Sequence, residues 1–93
     1  MADPPRMFTL VLDLGGGTYV SQYEGPSPAA ALRSWAQNEL PLLVQAGAPP
    51  AVVSLASVAD DDPTPLTGLI NVWCVTGRVD SELALLNIIA TVA

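Results

Sequence analysis

The glycine pair Gly15-Gly16, set between two runs of alternating polarity, constrains this chain more than any other feature. Before it, Phe8, Leu10 and Leu12 alternate with Thr9, Val11 and Asp13, the period of two that marks a half-buried strand. Glycine takes the positive φ angles of a two-residue hairpin turn without steric cost, so the chain is expected to reverse there. The register follows: Leu12 faces Tyr19, Leu10 faces Ser21 and Phe8 faces Tyr23, which brings both tyrosines to the apolar face. A three-residue turn would instead set Leu10 opposite Gln22 and Phe8 opposite Glu24, placing polar groups among core side chains, so the two-residue register is preferred.

Beyond the hairpin, Gly25-Pro26-Ser27-Pro28 breaks the strand and starts a helix, with the Ser27 hydroxyl as cap and the Pro28 ring at the first helical position. From Pro28 towards Leu40 one stripe carries Ala31, Leu32, Trp35, Ala36 and Leu40, with Arg33, Ser34, Gln37 and Asn38 opposite, so a single face packs on the sheet and Trp35 anchors it. Pro41 leaves the course of residues 41–46 open between a kinked continuation and a separate turn. Residues 51–58, between two prolines and three acids, are expected to form a short strand, residues 60–68 the longest loop, and residues 69–76 a central strand. Residues 82–92 suit either a helix capped by Ser81 or a strand; their β-branched end and the short connection to residues 69–76 favour a hairpin partner. The fold class expected is therefore α+β, an antiparallel sheet of about five strands in the order β-β-α-β-β-β with one helix on one face.

At 93 residues the chain is expected to be a tail over residues 1–6 followed by one domain over 7–93, able to bury roughly 60 to 65% of its unfolded surface. Nine acids against three arginines give a net charge of −6, which argues against nucleic acid as a partner, because affinity for phosphate backbones comes from clustered basic residues. No apolar run approaches the roughly 18 residues of a membrane helix, and the first residues lack a secretory pattern, so no membrane association and a cytoplasmic location are expected.

The chain has no His, and its three basic residues are all Arg, an absence that removes Ser-His and Cys-His catalysis, His-based metal sites, the phosphate-loop lysine and Schiff-base chemistry together. Cys74 is the only cysteine and sits beside Trp73 in an apolar stretch, where inert core packing is the expected role. Asp60-Asp61-Asp62 lacks the alternate spacing and distal Glu of a calcium loop. No catalytic, cofactor-binding or metal-binding residue is therefore assigned, and no cofactor is expected. The remaining reading of this kind is a small-ligand cleft near Asp60 to Gly68.

Two stretches resemble known families. Asp13-Leu-Gly-Gly-Gly-Thr18-Tyr19 resembles a phosphate-binding loop of the Hsp70/actin ATPase superfamily, without the acidic residue that follows the aromatic one there. That fold clamps its nucleotide between two lobes, each far larger than a chain of 93 residues can build, so the stretch is read as a structural turn. The hairpin followed by a helix opening Ser27-Pro-Ala-Ala-Ala-Leu32 resembles the start of HicB-type antitoxin domains over residues 8–40, a resemblance that implies neutralisation of a protein partner.

Face counting gives the remaining expectation. Ile70, Val72 and Cys74 point one way and Leu69, Trp73 and Val75 the other; Leu86, Ile88 and Val92 oppose Leu83, Leu85 and Ile89. Both sides of the sheet are thus apolar, whereas one helix covers one side. A non-enzymatic interaction module is expected, pairing as a homodimer through the uncovered face with Trp73, Val75, Leu83, Leu85 and Ile89 as interface residues, unless residues 41–50 fold over that face.

Overall fold

In a computed structural model that describes residues 6–91, Gly15 and Gly16 take φ of 57° and 81° and close a two-residue turn between β1 (Arg6–Leu14) and β2 (Gly17–Gly25). Positive φ at both central positions is the turn whose twist matches paired strands. The register is the expected one, with Leu12 opposite Tyr19, Leu10 opposite Ser21 and Phe8 opposite Tyr23. Arg6 opens β1 with its guanidinium 5.1 Å from the Phe8 ring centre, while the rest of the expected tail lies outside the described residues.

The helix α1 spans Pro28–Gln45 and is capped as its sequence requires, the Ser27 hydroxyl accepting the Ala30 amide at 3.2 Å. It does not stop at Leu40. Pro41 sits on the exposed side, and the buried stripe of Ala31, Leu32, Trp35, Ala36 and Leu40 runs on to Leu43. Continued burial of that stripe outweighs the backbone hydrogen bond that the proline ring forgoes.

Residues 51–58 are not a strand. Pro50–Asp60 forms a long 3-10 helix in which Val52, Leu55 and Val58 are buried, while Val53, Ser54, Ala56 and Ser57 are exposed. At 3.0 residues per turn, positions three apart stack on one line, and this segment carries an apolar residue at each of them. The third strand is instead β3, only Thr64–Pro65. The fourth, β4, covers Val72–Val79, three residues later than expected, because Gly68 and Asn71 at φ of 84° and 63° keep Leu69 and Ile70 in an exposed loop. Residues 82–91 form the strand β5 (Glu82–Thr91) after a tight turn at Asp80-Ser81.

These strands make one antiparallel sheet ordered β2-β1-β5-β4-β3, an α+β fold in which β5, not residues 69–76, lies at the centre. Phe8, Leu10 and Leu12 of β1, Leu86 and Ile88 of β5 and Val75 of β4 project to one face. There α1 lies chiefly over β2 and the 3-10 helix over β4. Gly77 permits the second contact: a Cβ on it would stand 2.9 Å from Leu55 Cδ2 and 3.2 Å from Val58 Cγ1. Trp35, at 1% exposure, is the largest fully buried side chain of this core. The void beside it, lined in part by Leu55, Val58 and Val75, is about 10 Å³, which leaves no room for a ligand in the core. Both helices lie on this one face, so residues 41–50 do not cover the other.

Candidate functional site

Alternation along each strand decides which side chains reach the uncovered face. Register carries that choice across the sheet: Val11 lies beside Val20, Ile89 beside Val72, Asn87 beside Cys74 and Leu85 beside Thr76. Leu83 and Leu85 continue the line of Ile89 down β5. The result is a chequered apolar field in which Val20 is 63% and Leu83 58% exposed. Charged side chains are confined to its ends, with Asp13 and Arg78 at the turn end and Glu24 at the other.

Several polar side chains of this field satisfy one another. Gln22 Nε2 donates to Thr9 Oγ1 at 3.1 Å, the Thr9 and Thr91 hydroxyls bond each other, and Thr18 Oγ1 donates to Asp13 Oδ1 at 2.8 Å. A face so arranged can be covered without stranding those groups, and stranded groups are the main cost of burying polar surface.

The five residues expected at the interface do not share a face. Leu83, Leu85 and Ile89 lie on the open side, whereas Val75 is buried beneath the helices and Trp73 packs its ring edge-on to Phe8 at 6.1 Å. Pairing of Val72 with Ile89 and of Trp73 with Ile88 fixes this division. In strand β4 the open-face residues are therefore Val72 and Cys74, followed by the polar Thr76 and Arg78. Val11 and Val20 also belong to the face. The hairpin register already implies them, since Val11 alternates with Leu10 and Leu12 and sits opposite Val20.

Cys74 is half-buried on the open side and not in the core; it is free, and burial pushes its thiol up, so the thiolate is disfavoured. At the edge beside β3, Asp61, Asp62, Thr64, Leu66, Cys74 and Thr76 line much of a shallow groove of about 490 Å³. Among the described residues no three His, Cys, Asp or Glu side chains come together as metal ligands would, and no helix is long and apolar enough to cross a membrane.

Around the glycine turn two carboxylates gather: Asp13 accepts the Thr18 hydroxyl, and Glu82 Oε2 lies 2.6 Å from the point where a Gly15 side chain would begin. A phosphate approaching Gly15 would meet that negative charge.

Compared with family models, with curated proteins and with solved structures, the chain matches none of them.

Proposed function

We propose that this chain is a non-enzymatic protein-interaction module that works as a homo-oligomer, two copies packing their open sheet faces together. One observation carries the reading: a sheet with all its helices on one side presents Val11, Val20, Val72, Leu83, Leu85 and Ile89 on the other. Isolated exposed apolar residues are ordinary, but a field spread over four paired strands is the mark of an interaction surface.

The dimensions favour a second copy. Four strands about 4.8 Å apart and eight residues long at about 3.3 Å each give a face of roughly 500 Å² in projection, and accessible area exceeds projected area. Two such faces together reach the roughly 1,000 Å² expected of a specific interface. An open sheet face can pair with itself about a two-fold axis, because every residue then has an equivalent in the partner. Light scattering on a size-exclusion column, with loading varied tenfold, should return a mass above 9.6 kDa; 9.6 kDa at every loading contradicts the proposal.

A further inference from the structure

The outer edge of β2 offers a second surface, distinct from the open face. This strand ends the sheet and is nine residues long, Gly17–Gly25, with no proline and no basic residue; Glu24 is its one charge. Natural sheets blunt an edge of this length with lysine, proline or a bulge, because its free amide and carbonyl groups otherwise recruit another strand. Beneath α1, at the middle of this strand, the Ser21 hydroxyl is the one buried side-chain polar atom among the described residues that has no hydrogen-bond partner.

The hairpin determines what that edge can bind. Leu14 and Gly17 close the two-residue turn, so residues 17, 19, 21, 23 and 25 exchange backbone hydrogen bonds with β1. The outward amides and carbonyls therefore belong to Thr18, Val20, Gln22 and Glu24. We propose that β2 pairs antiparallel with the β2 of a second copy about a two-fold axis at Ser21.

In that register Thr18 faces the second copy's Glu24, and Val20 faces its Gln22. These are the residues with outward backbone groups, and together they form about eight interchain hydrogen bonds, two for each hydrogen-bonded pair. Ser21 meets its equivalent in a non-hydrogen-bonded pair, the closer type, with Cα atoms about 4.5 Å apart. After a χ1 rotation one serine hydroxyl donates to the other, so neither remains an orphan. Tyr19 faces Tyr23 on each side, an aromatic cross-strand pair, and Glu24 faces a threonine rather than another acid. The neighbouring registers, centred on Val20 or Gln22, set Ser21 against a tyrosine and leave strand ends unpaired.

The axis of this pairing is perpendicular to the sheet, so both copies keep their helices on the same side and their open faces join into one. Packing through the open face uses an axis parallel to the sheet, and when that axis intersects the first the two operations together generate a closed D2 tetramer.

The test is disulfide trapping. Ser21→Cys in a Cys74→Ser background places two thiols within the Cα separation a disulfide spans. Under mild oxidation at micromolar protein it should give a covalent dimer at least about tenfold faster than Ser57→Cys, an exposed control on the 3-10 helix, because paired thiols hold a high effective concentration. Gln22→Pro is the second variant. It removes an outward amide and leaves the β1 ladder intact, so it should halve the mass of the assembly. Trapping no faster than in the control, or an unchanged mass in Gln22→Pro, overturns the proposal. Adding Leu83→Lys and Leu85→Lys to the trapping variant separates the two surfaces: the edge disulfide should persist after the open face is broken, and its loss overturns an independent edge interface.

Discussion

Trp35 carries more of the core than any other single side chain. It is the largest fully buried side chain and lines the small core void together with Leu55 and Val58 of the 3-10 helix and Leu12, Val75 and Leu86 of the sheet, so its replacement by alanine should cost about 3 to 5 kcal/mol, a large share of the stability of a domain this size. Chemical denaturation checks this, and a midpoint that barely moves would place the tryptophan elsewhere. Tyr23 makes a smaller and pH-dependent contribution. Its hydroxyl donates to Glu39 Oε1 at 2.7 Å, tying β2 to α1. Burial first, then that hydrogen bond and the adjacent negative charge, raise the phenol from 10.0 to about 12. A raised pKa stabilises the fold below the unfolded value and ceases to do so above the folded one. The difference in unfolding free energy between the wild type and Tyr23→Phe should therefore be about 0.5 to 1.5 kcal/mol and flat below pH 10, then shrink towards pH 12. A difference that grows in that window contradicts the assignment. Trp35 was legible in the sequence because it is the one large side chain on a helical stripe. The place of Cys74 was not, since its two strand faces look equally apolar until β4 is paired with β5.

At the scale of elements, the hairpin and the start of α1 could be read directly, because turn chemistry and capping act over a few residues: Gly15-Gly16 and Ser27-Pro28 each determine their own geometry. The 3-10 helix was harder to see. Its apolar positions Val52, Leu55 and Val58 recur every three residues, but a run of valines between prolines and acids also suits a strand, and packing on the sheet decides between them. Gly77 is the point where that packing can be tested. Gly77→Ala should cost about 1 to 3 kcal/mol, since the new methyl group would press on Leu55 and Val58. Shortening the obstacle should relieve the strain, so Gly77→Ala with Leu55→Val should cost less than the sum of the two single changes. Simple additivity in thermal unfolding would mean that the 3-10 helix does not rest on β4 as described.

For the molecule as a whole, the α+β class, the strand pairing of the hairpin and the existence of an uncovered apolar face followed from alternation and helix count. The composition of that face needed tertiary information. Trp73 and Val75 alternate correctly along their own strand, but only the Val72–Ile89 pairing shows that they lie under the helices while Leu83, Leu85 and Ile89 lie outside. A one-residue change in that register would exchange the two sets. The central claim is that the outside set is an interface between copies. Sedimentation equilibrium on the wild type and on the Leu83→Lys, Leu85→Lys double variant tests it most directly, because Leu83 is exposed and lysines can stay solvated on an uncovered face but not between two packed sheets. The double variant should fold and show half the wild-type mass. A wild-type mass of 9.6 kDa, or a variant that keeps the wild-type mass, would contradict the account.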